Sequence, residues 1–290
     1  MDSPSPPFSV DAVLEIVSPS TSRTALIFAS PHSGRDYPDS FLAQSALDPV
    51  SLRRSEDSYV DELFAAAPRH GAPLLKALFP RAYLDVNREP YELDPAMFDG
   101  PLPPHANTRS PRVAAGLGTI PRQVAQDTPI YRGKLSLADM DQRLKFLYAP
   151  YHDALTRLID DTLAQFGYCL LIDCHSMPST SVPTDHGPVD IVLGDCFGAS
   201  CASALTAGTE RFLAGLGYRV IRNHPYAGGY TTRHYGFPVR GVHALQIELN
   251  RALYMDEATH RRSAGFSRLE THMNALIAFL AGLPALDFRP

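Results

Sequence analysis

Residues 168–179 read YCLLIDCHSMPS, an apolar run that stops at Asp173 and is followed at once by His175. A run of this kind is typical of a central strand in a parallel sheet, which is buried on both of its faces. Open α/β sheets bind their ligands in the crevice beyond the carboxyl ends of such strands. His175 is therefore a candidate functional residue, although a single histidine at such a place is more often an ordinary loop residue.

The same arrangement occurs a second time near the amino terminus. The apolar segment TALIFAS (24–30) runs directly into Pro31 and His32. Between the two histidines, the segment 48–68 has apolar residues at helical spacing and carries Glu56 and Asp57. Acidic residues early in a helix also stabilise its dipole, so their position alone does not assign them a function.

Composition limits the class of protein and its partners. Of the 290 residues, 44% are hydrophobic and 20% are charged, as in an ordinary globular protein with a full core. The net charge of −5 offers no basic stripe, so no nucleic-acid partner is expected. No apolar run approaches the roughly 20 residues that span a bilayer, and the loose, Pro/Ser-rich leader at 1–12 lacks the features of a signal peptide. We expect a cytoplasmic protein with no membrane partner, and the sequence leaves the oligomeric state open.

The four cysteines do not suggest a zinc ribbon. Cys169, Cys174, Cys196 and Cys201 include no CxxC pair, which a structural zinc site made of four cysteines requires. We expect free, buried thiols in a reducing compartment.

Segments with strand and helix character alternate along the chain. Strands are predicted at 14–17, 24–30, 73–79, 82–86, 168–172, 189–193, 218–222 and 242–250. Helical segments are predicted at 136–166, 199–216 and 256–283, and a polar loop at 223–238. Because helical segments separate several of these strands, we expect an α/β protein with a mixed, mostly parallel sheet in a three-layer αβα arrangement. A single catalytic domain is expected over 13–290, with a long loop insertion at about 91–128.

The segment VHALQIELN (242–250) places a carboxylate inside a predicted strand. With a period of two, Gln246 and Glu248 share one face, and the apolar neighbours indicate that the strand is buried. An unpaired carboxylate there costs several kcal/mol. Glu248 is therefore either half of an ion pair, with Arg251 or another arginine, or a pocket carboxylate that acts as general acid and base.

Two histidines after strands, an acid on a helix and a carboxylate on a third strand match the needs of hydrolytic zinc. Such sites use three protein ligands and keep a further position for water, whose pKa falls to about 7. A local motif such as HExxH is absent from the sequence. The spacing therefore permits a zinc site without requiring one.

Six motifs follow one another in the order seen in a known family. They are SPHSGRDYP (30–38), SEDSYVDELF (55–64), LDVNREP (84–90), IDCHSMPS (172–179), GGYTTRHYG (228–236) and HALQIELNRALYM (243–255). Through them the sequence resembles the N-formylglutamate amidohydrolase (deformylase) family from about residue 31 to 255. The resemblance implies the phosphorylase/hydrolase-like α/β fold and kinship with the zinc carboxypeptidases.

Matched residue by residue, the resemblance also implies a ligand set. His32 and His175 correspond to zinc ligands, and one acid of the Glu56 and Asp57 pair completes the set. Asp57 is the better match to the family's aspartate. The HxxE spacing of zinc carboxypeptidases is absent, because the residue three positions after His32 is an arginine.

The resemblance further implies the residues around the metal. Glu248 matches the catalytic glutamate, and Asp173 either orients a zinc-bound imidazole or merely caps the strand end. The positions matched to substrate contact are Arg88, Arg233 and Tyr230, with Arg109 and Gly229 as weaker candidates. A guanidinium is the natural partner of a substrate carboxylate, although a structural ion pair explains each arginine equally well.

The activity that this resemblance implies is removal of a formyl or other small acyl group from the nitrogen of an acidic amino acid. N-formylglutamate and water would give glutamate and formate, with Zn²⁺ or another divalent metal as cofactor and a small anionic substrate as partner. The alternatives on the same fold are another N-acyl amino acid deacylase and a zinc carboxypeptidase. A non-catalytic metabolite-binding protein is a further alternative, against which the presence of every matched ligand and of Glu248 argues.

Overall fold

The computed structural model describes residues 13–20, 22–181 and 188–289, so the predicted leader at 1–12 lies outside the described residues. The chain divides into two compact units. The first comprises the described residues up to Glu15 together with Pro31–Glu56 and Ala77–Ala154. The second comprises Ile16–Ser30, Asp57–Lys76 and the described residues from Leu155 onward. The single domain expected over 13–290 stays a prediction.

The strands are β1 (Leu14–Val17), β2 (Leu26–Ser30), β3 (Leu74–Ala77), β4 (Phe98–Asp99), β5 (Gln123–Ala125), β6 (Thr128–Pro129), β7 (Leu135–Ser136), β8 (Cys169–Met177), β9 (Ile191–Gly194), β10 (Val220–Arg222), β11 (Val242–Asn250), β12 (Met255–Asp256) and β13 (Arg261–Arg262). Seven of them form one sheet in the order β1-β3-β2-β8-β11-β9-β10. The pairs β3–β2, β2–β8, β8–β11 and β9–β10 are parallel, and β11–β9 is antiparallel. The predicted α/β class with a mixed, mostly parallel sheet is confirmed.

The helices are α1 (Asp39–Gln44), α2 (Pro49–Leu52), α3 (Val60–Leu63), α4 (Pro111–Ala114), α5 (Leu137–Arg143), α6 (Ala149–Phe166), α7 (Ser203–Gly215), α8 (Tyr230–Tyr235) and α9 (Phe266–Ala281). In the second unit, α3, α7 and α9 share the main core cluster with one face of the sheet. Ile159 of α6 and His234 of α8 line a cavity with Val242, on the other face. The sheet thus lies between two helical layers. Among the helices of the described ranges, none has both the length and the apolar character needed to cross a membrane.

The strand β8 is longer than its apolar run predicts. Its parallel pairing with β11 continues to Met177, so His175 lies within the strand instead of beyond its end. Cys174 on β8 and Ile247 on β11 belong to the main core cluster. Because side chains alternate along a strand, Asp173 and His175 point to the opposite face, as do Gln246 and Glu248.

The helix predicted over 48–68 is interrupted where the acidic residues lie. After α2 comes a 3₁₀ turn at Arg53–Ser55, and α3 begins only at Val60. Tyr59 adopts a left-handed conformation with φ of 67°, which cannot be accommodated inside a right-handed helix. Helical spacing alone did not reveal this break, because the apolar residues on either side remain in phase.

Three other segments differ from the sequence expectation. Residues 82–86 form a turn instead of a strand, because Tyr83 and Leu84 donate their N–H groups to the carbonyl of Pro80. The predicted loop at 223–238 contains α8, and the closing helix begins at Phe266 instead of residue 256. The helical region 136–166 is confirmed, with a π-helical turn at Leu144–Tyr148 just before Pro150, a residue that has no N–H for the regular ladder.

The four cysteines are free thiols in the structure, three of them buried, as the sequence predicted. Residues 91–128 lie within the first unit and contain short elements, β4, α4 and β5 among them.

Candidate active site and metal centre

Two neighbouring parallel strands place His175 and Glu248 side by side. Glu248 of β11 pairs with His175 of β8, and two positions back along both strands Gln246 pairs with Asp173. All four side chains are buried, with exposed fractions between 0% and 6%. Buried polar groups are costly unless they are paired. Four of them in adjacent positions on one sheet face therefore make this part of the sheet a candidate site.

Asp57 lies in the irregular segment between the 3₁₀ turn and α3. Its Oδ2 is 3.1 Å from Nδ1 of His175. Its Oδ1 accepts hydrogen bonds from the Arg251 guanidinium at 3.0 Å and from the Ser176 hydroxyl at 3.3 Å. The left-handed Tyr59 turns the chain immediately after this aspartate. One carboxylate oxygen is thus anchored, and the other is directed at the imidazole.

The imidazole of His175 lies between two carboxylates. In addition to the Asp57 contact at Nδ1, Nε2 is 2.9 Å from Oδ2 of Asp173. Burial alone would lower the pKa of this histidine, but Asp173, with help from Asp57 and Glu248, raises the pKa well above its ordinary value. With Nε2–H donating to Asp173, Nδ1 is the ring nitrogen that faces Asp57. Metal-bound histidines use this arrangement, in which a carboxylate fixes the tautomer.

His32 follows β2 by two residues, and a different carboxylate holds it in the same way. Its Nε2 is 2.7 Å from Oδ1 of Asp85. Asp85 also accepts hydrogen bonds from Nε of Arg81 at 3.0 Å and from the Asn87 N–H at 2.8 Å. Burial alone would raise the pKa of Asp85, but Arg88, His32 and Arg81 hold this pKa well below its usual range. Asp85 is therefore an ionised, fixed acceptor for the imidazole.

The ligand atoms of His32, Asp57 and His175 all lie within 4.8 Å of one another. Two imidazoles and one carboxylate, each buried, are a donor set that catalytic zinc uses. The carboxylates of Asp57 and Asp173 supply negative charge for a cation to balance. The residues present therefore fit a divalent metal such as zinc.

Glu56 is engaged elsewhere. Its carboxylate binds Nε and Nη2 of Arg53 at 2.9 and 2.8 Å. The hydroxyl of Tyr37 donates to Oε2 at 3.3 Å, and burial, together with the charge of Glu56, raises the pKa of this tyrosine so that it stays protonated. Asp57 is the acid that is grouped with the two histidines, and its role as a ligand stays a prediction.

Glu248 receives a hydrogen bond from its own strand. Nε2 of Gln246 donates to Oε1 of Glu248 at 2.8 Å, and Oε1 of Gln246 accepts the N–H of Gly229 at 2.7 Å. Arg251, which the sequence offers as an ion-pair partner for Glu248, binds the carboxylate of Asp57 and the hydroxyl of Ser176. This arrangement suits a carboxylate that exchanges protons beside a metal.

Arg88 is the most constrained of the arginines matched to substrate contact. Its Nε donates to the carbonyl of Leu117 at 2.8 Å and its Nη1 to the carbonyl of Asn87 at 2.8 Å. Nη2 lies 3.6 Å from Asp85. Burial lowers the pKa of Arg88 to about 10 against the opposing effect of Asp85. The side chain therefore remains a cation near neutral pH, held in a fixed orientation.

The other candidates matched to substrate contact have different surroundings. Tyr230 begins α8 and stacks on His234, with ring centroids 4.7 Å apart. Arg233 is exposed, and its Nε donates to the carbonyl of Gly229 at 3.3 Å. Gly229 is buried at the start of α8, whereas Arg109 is an exposed residue of the first unit.

Comparisons with known proteins identify the family of this chain. The family model for N-formylglutamate amidohydrolase matches residues 24–255. The chain belongs to the N-formylglutamate amidohydrolase family. Proteins named N-formylglutamate deformylase from Pseudomonas aeruginosa and Pseudomonas putida are 32% and 30% identical to it, over 84% and 81% of this chain and 86% and 83% of theirs. The crystal structure of an N-formylglutamate amidohydrolase from Ralstonia eutropha JMP134 superimposes with a TM-score of 0.89 and 37% identity, covering 93% of this chain and 97% of that one.

The resemblance read from six motifs is therefore confirmed, and three site residues were missed within them. Asp85, Gln246 and Arg251 each contact a residue matched to the family's ligands or catalytic glutamate. Asp85 stands in LDVNREP directly after an apolar segment, a signal that the sequence does contain. Gln246 shares a strand face with Glu248, which is a weaker signal. The contact of Arg251 depends on tertiary structure alone, because its partner lies 194 positions away.

Proposed function

We propose that this protein is a metal-dependent amidohydrolase that converts N-formylglutamate and water to glutamate and formate. Membership of the family and the names of the relatives support this activity. The observation that carries the proposal is the register that sets Glu248 beside His175, one of the three residues with donor atoms in a single group. Metal-dependent amide hydrolysis requires a carboxylate that can exchange protons next to the residues that bind the metal.

His32, Asp57 and His175 would hold the ion. When bound, zinc or another divalent metal would supply Lewis-acid polarisation of the formyl carbonyl and a lowered pKa for the attacking water. Asp85 and Asp173 would keep the two imidazoles in the tautomer that presents Nδ1.

Glu248 accepts a proton from the water as its oxygen attacks the formyl carbon. The C–N bond then breaks, and Glu248 returns the proton to the departing nitrogen. The acid product retains the water's oxygen, and its remaining proton passes to the amine, which gives formate and an ammonium group. One carboxylate thus acts first as general base and then as general acid, and it ends in its starting state.

Arg88, Arg233 and Tyr230 are the proposed substrate contacts, with Arg109 and Gly229 as weaker candidates. The substrate carries two carboxylates, and a guanidinium binds a carboxylate through two parallel hydrogen bonds. Arg88 offers a cation that is already oriented, which reduces the entropy lost on binding. Arg233 is exposed, so it can adjust to a ligand.

A substrate panel tests the proposal. Purified, zinc-loaded protein is assayed with N-formylglutamate, N-acetylglutamate, N-succinylglutamate and short peptides that end in glutamate. We expect the highest kcat/KM for N-formylglutamate, loss of turnover after chelation, and recovery when zinc is returned. Preferential release of glutamate from peptides would replace the deformylase by a carboxypeptidase. Absence of hydrolysis throughout the panel would contradict the proposed function.

A further inference from the structure

A buried chain of two hydrogen bonds links the start of α8 to Glu248. The Gly229 N–H donates to Oε1 of Gln246 at 2.7 Å, and Nε2 of Gln246 donates to Oε1 of Glu248 at 2.8 Å. All three residues are buried. Gln246 takes no part in the proton transfers proposed for Glu248.

The direction of this chain is fixed by chemistry. A backbone N–H is only a donor, so the amide of Gln246 must turn its oxygen toward Gly229. Its NH₂ group then necessarily faces Glu248. The two hydrogen bonds of the Gln246 amide, one with Gly229 and one with Glu248, are therefore coupled, because rotating the amide would break both at once.

The loop before α8 is built to lie against the sheet at this point. Gly194 of β9 pairs with Gln246, and a Cβ at Gly194 would come within 2.8 Å of the backbone nitrogen of Gly228. Only a glycine lets the loop approach so closely. The contact between Gly229 and Gln246 is thus a consequence of how the loop packs on β9.

We propose that Gln246 is a positioning residue that holds Oε1 of Glu248 and so fixes the orientation of the carboxylate that exchanges the proton. Because the same amide holds the peptide directly before Tyr230, it aligns the proton-transferring carboxylate with the helix that carries Tyr230 and Arg233. This inference rests on the proposed function, since it assigns the orientation of the general base in that reaction.

The Gln246→Met variant tests the inference, because methionine has a similar length and makes neither hydrogen bond. Steady-state kinetics with N-formylglutamate should show kcat lowered roughly tenfold to a hundredfold, as expected when a catalytic group loses its orientation. KM should change less than about threefold, and metal content per chain should equal that of the wild type. An unchanged kcat would overturn the proposal, as would a raised KM alone or a kcat that added zinc restores.

Gln246→Glu is a second variant with a polar side chain of the same length. It keeps an oxygen for the Gly229 N–H but sets a carboxyl group against Oε1 of Glu248. If both carboxyl groups are ionised, they repel each other and displace Glu248. If they share one proton, that proton occupies the oxygen that must accept the water's proton. The value of kcat should fall in either case. A Gln246→Glu enzyme with wild-type kcat would show that only the link to α8 matters and would overturn the assignment.

His243→Gln is the matched control. His243 lies on the same strand but on the opposite face, where it binds the Ala202 N–H and the Phe288 carbonyl. Its replacement should lower stability and leave kcat unchanged; an equal loss of kcat would show that any disturbance of β11 suffices and would overturn the proposal. Failure of the proposed function is distinguishable, because the wild type would then not hydrolyse N-formylglutamate at all.

Discussion

Asp57 and Glu248 are both buried carboxylates, and their hydrogen-bond partners differ. Asp57 is anchored through Oδ1 by a guanidinium and a hydroxyl, which suits a ligand that must stay ionised and still. Glu248 receives an uncharged amide N–H from Gln246. A neutral donor stabilises the ionised form of a carboxylate less than an arginine does.

Replacing Glu248 by glutamine should remove turnover without removing the metal. The amide keeps the shape of the side chain but cannot accept the water's proton, and general acid–base catalysis is typically worth roughly 10² to 10⁴. We expect kcat to fall at least about a hundredfold, with metal content per chain unchanged by elemental analysis. Near-normal turnover would eliminate Glu248 as the base.

Asp85→Asn should weaken metal binding through His32. The carboxylate fixes the imidazole by accepting its Nε2–H, and loss of such a partner typically costs roughly tenfold to a hundredfold in metal affinity. Competition with a chromophoric chelator measures this change. Asp195→Asn is the matched control. Asp195 is also a buried aspartate, but it accepts hydrogen bonds from Thr206 and Asn223 and not from a histidine of the candidate metal centre. Equal affinities in the two variants would refute the role of Asp85.

Several elements are short or interrupted where the site needs an unusual backbone. The segment after α2 breaks so that Asp57 can face His175, and α8 is reached through a loop packed against β9. In that loop Gly228 has φ of +127°, and a Cβ there would lie 2.5 Å from Oγ1 of Thr232 and 2.8 Å from Sγ of Cys196. The loop thus requires glycine at 228 for both conformation and space.

Gly228→Ala should therefore destabilise the protein by more than the conformational cost of a positive φ alone, because the added Cβ also meets neighbouring atoms. We expect a loss of about 3 kcal/mol, from strain together with overpacking. Gly198→Ala is the matched control, because Gly198 also has a positive φ, +84°, but nothing lies within 4 Å of its Cβ position. That variant should lose only about 1 kcal/mol. Urea unfolding measures both, and equal losses would show that crowding at Gly228 is unimportant.

His243 of β11 should make the free energy of unfolding depend on pH. Burial lowers the pKa of this histidine below its ordinary value of 6.5, against the smaller opposing effect of its hydrogen bond to Phe288. The folded state therefore binds the proton less readily than the unfolded state. Its contribution to stability is complete above pH 6.5 and decreases as the pH falls below that value.

The comparison of wild type with His243→Gln checks this sign. Urea unfolding near pH 7.5 and near pH 5.5, at equal metal content, should show a larger loss of stability for the wild type than for the variant. The difference of the two losses removes the contribution of all other titrating groups. A variant with the same pH dependence as the wild type would contradict the assignment.

Metal binding should stabilise the whole molecule, because the donor residues come from three separate segments of the chain. An ion that binds the folded state alone adds about 4 kcal/mol when its free concentration is a thousand times Kd. Chelation should therefore lower Tm, and zinc should restore it. Glu248→Gln should show the same shift and Asp57→Asn a smaller one. A Tm that does not respond to chelation in the wild type would contradict a metal bound by the folded protein.

Much of this protein can be predicted from its sequence, because the relevant signals are local. Apolar runs with strand character located β2, β8 and β11, and alternation along β11 already separated the face of Glu248 from the core face. The order of six motifs indicated the family, which its matching model and relatives confirm. These features depend on residue type and spacing within a segment, so no distant contact is needed to recognise them.

Tertiary structure alone decided how the site residues meet. Sequence matching favoured Asp57 over Glu56, but the geometry came from the left-handed Tyr59 and from Arg251, which binds Asp57 from 194 positions away. The register between β8 and β11 set Glu248 beside His175. Helical spacing, by contrast, predicted a continuous helix over 48–68, where the structure has two short helices separated by an irregular segment. Side-chain direction depends on backbone dihedrals and on pairing between segments far apart in sequence, and neither is encoded in local periodicity.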